Sequence, residues 1–133
     1  MTSIFTKLVN SEIPAYKVAE NDDYLAFLDI FPVVKGHTLV IPKKEVDYLF
    51  DLDQETYLGL HDFARKVALG IQKAIPCKKV GTLVLGLEIP HAHIHLLPMQ
   101  TEADLLNFTN KLKLTKEEFE EIRDKIASEI KLR

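Results

Sequence analysis

His91-Ala-His-Ile-His-Leu-Leu-Pro98 places three of the chain's five histidines at strict alternation. Strand side chains at i, i+2 and i+4 share a face, with a rise of about 3.3 Å per residue. The stretch therefore reads as a β-strand with His91, His93 and His95 in a row on its polar side. Ala92, Ile94 and Leu96 point the other way, into a core. Neighbouring imidazoles in such a row stand about 6–7 Å apart, so one small anion could touch two or three of them. A lone strand histidine is usually a satisfied polar residue. Three together are costly to desolvate without partners, and the row is read as a site.

Outward from this strand, the chain alternates short apolar runs with turn signals. Ser3 to Asn10 carries Ile4, Phe5, Leu8 and Val9 at helical spacing, and Pro14 biases Ile13 towards an extended conformation. Tyr16–Glu20 and Tyr24–Ile30 read as two strands of a hairpin around Asn21-Asp-Asp23. Phe27 and Asp29 share one face of the second strand. Thr38–Ile41 is a third strand, which Pro42 ends. Asp53 is an N-cap for a long helix whose stripe runs Tyr57, Leu60, Ala64, Val67, Ala68, Ile71, Ile75 to the stop at Pro76. His61 is off that stripe and reads as solvated. Lys79–Leu85 is a fourth strand, Gly86–Pro90 a connection, and Pro98 closes the histidine strand. Thr115-Lys-Glu-Glu118 is a capping box opening a helix with Phe119, Ile122, Ile126 and Ile130 on one stripe. The expected fold is α+β: about five strands in one antiparallel sheet, one long helix packed on it, and a C-terminal helix at an edge.

The 133 residues fit a single domain, residues 1–133, with a core of about 4–98 and a C-terminal extension whose helix spans about 115–131. The net charge of −3 gives no basic surface for nucleic acid, although a small anion needs only local positive charge. The single cysteine, Cys77, excludes an intrachain disulfide and suits a reducing compartment. No apolar run approaches a membrane span, and the first residues lack a signal-peptide layout, so a cytoplasmic protein is expected.

The histidine row resembles the signature of the histidine triad (HIT) family, His-x-His-x-His followed by two apolar residues. Phe27-Leu-Asp-Ile30 and Gly36-His-Thr-Leu-Val-Ile-Pro-Lys-Lys44 are similar to two further family motifs, in the same order and at about the same spacing. The likeness runs from about Ile4 to Pro98 and is strongest to nucleotide hydrolases of the nucleoside phosphoramidase type. It implies the same sheet as a meander, a homodimer in which two sheets join, and a purine nucleotide as ligand.

A neutral imidazole is a good nucleophile near pH 7, and attack on an α-phosphorus would form a nucleotidyl-histidine. The nucleophile would need its Nδ1–H fixed, by a backbone carbonyl for instance, to leave Nε2 free. The resemblance assigns this role to His93. It makes His91 and His95 phosphate ligands or leaving-group helpers, with His37 completing the polar cluster. A carboxylate such as Asp29 can accept from both hydroxyls of a ribose, or can merely cap a turn. Ile4, Phe5, Phe27 and Ile30 match the family's apolar walls around the base, where core packing is the plain alternative. Glu88, three residues before His91, is expected at the nucleotide site, turned towards the triad and raising an imidazole's pKa.

Two departures stand out. Many relatives carry Cys-x-x-Cys near the start and a His after the Lys-Lys motif, which join the first triad histidine on a structural zinc. Here the corresponding stretch is Ser3-Ile-Phe-Thr6, and Glu45 follows Lys44. No metal and no cofactor is therefore expected. The connection before the triad is also short, with Leu87 where relatives often have Gln, which implies fewer phosphate donors. Two other readings remain open. One is a metal-dependent hydrolase using paired strand histidines, for which only His37 and remote carboxylates could complete the ligand set. The other is a non-catalytic nucleotide-binding module.

Overall fold

A computed structural model describes residues 2–133. Helix α1 (Ile4–Val9) starts at Ser3, whose hydroxyl accepts from the Thr6 amide, the usual service of an N-cap. Strands β1 (Lys17–Glu20) and β2 (Tyr24–Leu28) form the expected hairpin. Its turn is closed by Asn21 Oδ1, which accepts from the amides of Asp23 and Tyr24. Strand β3 (Thr38–Pro42) is followed by helix α2 (Gln54–Ala74), strands β4 (Lys79–Leu83) and β5 (Ile94–Met99), and helix α3 (Lys116–Glu129). All strand pairs are antiparallel, in the order β1-β2-β3-β5-β4. The sheet is thus not a pure meander, because β5 inserts between β3 and β4.

Alternation decides the two layers. Ala26, Leu28, Val40, Ala92, Ile94 and Leu96 face α2, where Leu60, Phe63, Val67 and Ile71 cover them. Leu25, Phe27, Leu39 and Ile41 face the other way and meet Phe5 and Leu8 of α1. Because both faces are covered, β2 and β3 are buried at every position. α3 opens with the expected reciprocal capping box of Thr115 and Glu118. It lies along α2 and the β1 edge, where Phe119 stacks on Tyr16 and Arg123 Nε donates to the Lys17 carbonyl. His61 is exposed on α2, as its place off the stripe implies.

β2 and β4 each end two residues short of the expected Ile30 and Leu85, and two further boundaries, both on the histidine strand, differ for local reasons. The histidine row is not wholly within a strand: β5 begins at Ile94, so of the three only His95 sits in the ladder. β3 pairs with β5 only from Thr38–Leu96 to Val40–Ile94. Further along, Pro42 has no N–H to offer, its carbonyl accepts from the His91 ring, and the Ala92 amide turns to Val46. Pro98, in turn, does not close β5, which runs on to Met99 paired with β4 alone. Beyond Leu96 the strand has no β3 partner, so the missing proline N–H costs no ladder bond on that side. A stretch that gave no pattern in the sequence, Glu102–Thr109, is 3₁₀-helical and lies between the sheet and α3.

Candidate active site

The three triad histidines stand on the α1 side of the sheet and are buried, with exposures of 0%, 6% and 8% for His91, His93 and His95. The sequence reading put them on a polar face. Instead Phe5 of α1 presses its ring edge-to-face against His93 at 5.1 Å and His91 at 5.8 Å between centroids. Desolvated imidazoles need partners, and each finds one whose chemistry fixes the tautomer.

A carbonyl can only accept and a backbone amide can only donate, so every ring nitrogen bonded to one of them has its proton assigned. His93 Nδ1 lies 2.8 Å from the His91 carbonyl and must carry the proton. Its Nε2 keeps the lone pair. His91 Nε2 lies 2.7 Å from the Pro42 carbonyl and is likewise a donor. His91 Nδ1 is then an acceptor, and the Ser3 hydroxyl donates to it at 2.8 Å. His37 works in the opposite sense: its Nδ1 accepts from the Val33 amide at 3.0 Å, so Nε2 carries the proton and donates to His95 Nδ1 at 2.9 Å. His95 is left with its proton on Nε2. The four imidazoles thus leave one lone pair uncommitted, on His93, and one outward N–H, on His95, beside each other at a ring separation of 5.0 Å.

The loop between β2 and β3 places His37. Gly36 at φ +90 takes a left-handed turn that L-residues avoid, with Pro98 against the place a Cβ would occupy. Burial, then the field of His95 and Lys111, pushes the His37 imidazole down to about 3, and burial with His93 pushes His95 down to about 4. Both are neutral at pH 7. The 3.6 Å approach of His37 Nε2 to Asp29 Oδ2 is therefore not an ion pair.

Asp29 does two things at once. Its Oδ1 accepts from the Phe31 amide at 2.8 Å, which is the turn-cap reading. Its Oδ2 faces the histidines and the cavity beside them. Burial raises its carboxyl above the usual range, against the pull of the Phe31 amide and Lys111. That cavity, of about 470 Å³, suits a small ligand with one apolar and one polar end. It is bordered by every residue expected at the nucleotide site: Ile4, Phe5, Phe27, Asp29, Ile30 and Glu88. Phe5 and Phe27 are themselves core, packed on each other at 5.4 Å, and form its floor. Ile4 and Ile30 are half-exposed at its border. Glu88 is on the rim and exposed, and among the described residues no hydrogen bond joins it to a triad imidazole. The expected tuning by Glu88 is not what the geometry provides; the carboxylate that reaches a triad histidine, through hydroxyls, is Glu45.

Ser3, Thr6 and Glu45, noted only as departures from a zinc-ligand pattern, converge on His91. Glu45 Oε1 accepts from the Ser3 amide and the Thr6 hydroxyl, both at 2.6 Å. These bonds, the Thr6 hydroxyl foremost, hold the Glu45 carboxyl down to about 2. Two neutral hydroxyls occupy the places where zinc would want thiolates, and their protons are already committed, Ser3 to His91 and Thr6 to Glu45. This set does not fit zinc. A second possible cation cluster, Asp29 with His37 and His95, corrects the reading that carboxylates are remote from the histidines. It does not fit a metal either. A metal on His37 Nε2 needs the lone pair there and the proton on Nδ1, which would face the Val33 N–H.

Comparison with known proteins now has a geometry to meet. The family model described as the HIT domain matches residues 10–102. The chain belongs to the HIT family. An uncharacterized HIT-like protein of Borreliella burgdorferi is 35% identical over 96% of this chain and 97% of its own. The adenosine 5'-monophosphoramidase hnt1 of Schizosaccharomyces pombe is 33% identical over 98% of this chain and 100% of its own. The crystal structure of a HIT-like protein of Bartonella henselae superposes with a TM-score of 0.86 at 33% identity, covering 97% of this chain and 96% of that one.

The HIT resemblance ended at Pro98 and gave no role to the chain beyond it, yet two pocket residues lie there: Phe108 and Lys111 border the cavity beside His93 and His95. A 3₁₀ stretch has no sustained 3.6-residue period, so its apolar positions carry no sequence signal.

Proposed function

We propose that this HIT protein is a nucleotide hydrolase or transferase that cleaves at the α-phosphate of a nucleoside phosphoramidate, or of another nucleoside monophosphate ester or anhydride. The observation that carries the reading is the bond from His93 Nδ1–H to the His91 carbonyl, which leaves the Nε2 lone pair beside the cavity. The phosphoramidase named in Schizosaccharomyces pombe supports the same chemistry.

In the first step His93 Nε2 attacks the α-phosphorus, a P–Nε2 bond forms, and the bond to the leaving group breaks. The leaving group takes the electron pair and a proton from solvent. His95 Nε2–H donates to a non-bridging oxygen, or to the leaving atom, as negative charge gathers there. Water then attacks the nucleotidyl-histidine and gives up a proton to solvent; the P–Nε2 bond breaks, its electron pair returns to His93, and the nucleoside monophosphate is released. Asp29 Oδ2 accepts from the ribose hydroxyls, and Ile4, Phe5, Phe27 and Ile30 hold the base, which we take to be a purine. No cofactor and no metal takes part.

The chain acts as one domain and, by analogy with the family, as a homodimer. The sheet supports this: α3 covers the β1 edge, whereas β4 forms the opposite edge of the sheet. We place the protein in the cytoplasm, and no described helix is long and apolar enough to cross a membrane.

Intact-mass analysis of wild type mixed with an adenosine phosphoramidate and quenched without acid tests the central step. A nucleotidyl adduct is expected on wild type and none on His93→Ala, which should still bind nucleotide. Turnover at full rate with no adduct and no burst excludes the covalent route; binding without any turnover marks a pure binding module.

A further inference from the structure

We propose that Lys111 is the anion-binding residue of the nucleotide pocket, so that the segment after the sheet supplies a positive charge at the cavity. This rests on the nucleotide reading above and adds a ligand to it. His37 and His95, locked in one tautomer chain and with their pKa lowered by burial, offer a phosphate hydrogen bonds but no charge. The titratable groups bordering the cavity besides the histidines are Asp29, Glu88 and Lys111. Two of these are carboxylates, so a phosphate entering without Lys111 would meet net negative charge.

The position of Lys111 is built rather than accidental. Asn107 Nδ2 donates to the Val33 carbonyl at 3.3 Å, and the Leu112 amide donates to the Pro32 carbonyl at 2.9 Å. These bonds strap residues 107–112 to the same loop whose Val33 amide fixes His37. Between them the Phe108 ring stands edge-on to His95 at 5.9 Å and to His37 at 6.3 Å. The Lys111 ammonium lies 5.2 Å from the Phe108 centroid, so the ring holds the charge at the cavity through a cation–π contact. Among the described residues Lys111 makes no ion pair with Asp29, whose Oδ1 is taken by Phe31. Its charge is available to a ligand.

Calorimetric titration of the full chain with AMP and with adenosine, at low ionic strength, separates charge recognition from packing. Lys111→Met should weaken AMP about tenfold, a Coulombic loss at a solvent-reached site, and leave adenosine unchanged. Lys111→Arg should restore AMP affinity, added salt should shrink the difference, and Lys113→Met, two residues on, should behave as wild type. Unchanged AMP binding in Lys111→Met overturns the proposal. So does an equal loss for AMP and adenosine, or an equal loss in Lys113→Met. Wild type that binds neither ligand overturns the nucleotide reading itself.

Discussion

The Ser3 hydroxyl lies 2.8 Å from Nδ1 of His91, joining the cap of α1 to the first triad histidine across 88 residues. His91 exposes no surface, and its other ring nitrogen is held by Pro42. The His91 carbonyl in turn fixes His93. The α1 cap therefore positions His93 at one remove.

Ser3→Ala leaves a buried acceptor without its donor and α1 without its cap. The orphaned acceptor costs about 1–3 kcal/mol and the lost cap about 0.5–2 kcal/mol, so the unfolding free energy from urea titration should fall by about 1.5–5 kcal/mol. Ser3→Thr, which keeps the hydroxyl, should stay near wild type. The kinetic mark of positioning is a lower kcat at nearly constant KM. An alanine variant with wild-type midpoint and kcat would mean that Ser3 merely fills space.

Asp29 calls for a pair of variants, because one carboxylate both caps the turn and faces the pocket. Asn at this position can still accept from the Phe31 amide but has lost the charge. Asp29→Asn should keep its stability and lose about 1.5–3 kcal/mol of ribonucleotide affinity relative to the 2′-deoxy analogue. Asp29→Ala should lose stability as well. If the Asn variant discriminates ribose from deoxyribose as wild type does, Oδ2 is not a ribose ligand.

The layers, the hairpin, α2 and α3 were legible because alternation and helical spacing there agree with burial. That Asp29, Ile4, Phe5, Phe27 and Ile30 gather around one cavity was legible through the family motifs. The rest escaped for particular reasons. Ser3, Thr6 and Glu45 read as mere absences of zinc ligands, since side chains that bond one another across 39 residues or more leave no local pattern. The tautomers depend on backbone groups of Val33, Pro42 and His91, which no side-chain motif encodes. Pro98 read as a stop because its register partner, β4 without β3, is a tertiary fact.

Stability should fall in mild acid. His37 and His95 resist protonation in the folded chain down to about 3 and 4, while an unfolded histidine protonates near 6.5. At pH 7 both states are neutral and nothing is lost. Below about pH 6.5 the unfolded chain binds protons the native one refuses, so unfolding free energy drops by up to about 1.4 kcal/mol per pH unit for each histidine. His91, lowered mainly by burial, adds in the same direction, and the raised Asp29 carboxyl opposes. Urea midpoints from pH 8 to pH 4.5 should be flat at first and then decline. His37→Asn should flatten that decline, and a midpoint that holds down to pH 4.5 would contradict the buried neutral pair.

His37 itself can be divided into its two bonds. An Asn side chain reaches about as far as imidazole Nδ1, and a Gln side chain about as far as Nε2. His37→Asn can therefore keep the Val33 amide satisfied but cannot donate to His95. His37→Gln keeps the donor to His95 and abandons the Val33 amide, a buried group whose loss of partner costs about 1–3 kcal/mol. Without a donor at Nδ1, His95 is free to move its proton there and to point a lone pair at the phosphate. An anion then meets an acceptor where it needs a donor. The Asn variant should accordingly lose about a hundredfold in kcat, the low end for removal of one oriented transition-state donor, because part of the His95 population keeps its Nε2 proton. The Gln variant should lose stability and keep most of its turnover. Nitrogen-15 chemical shifts of His95 report the tautomer directly, with protonation on Nε2 in wild type and the Gln variant and a mixture in the Asn variant. Should the Asn variant turn over normally with its Nδ1 protonated, the His37–His95 bond is structural, and the donor to the phosphate must be sought elsewhere.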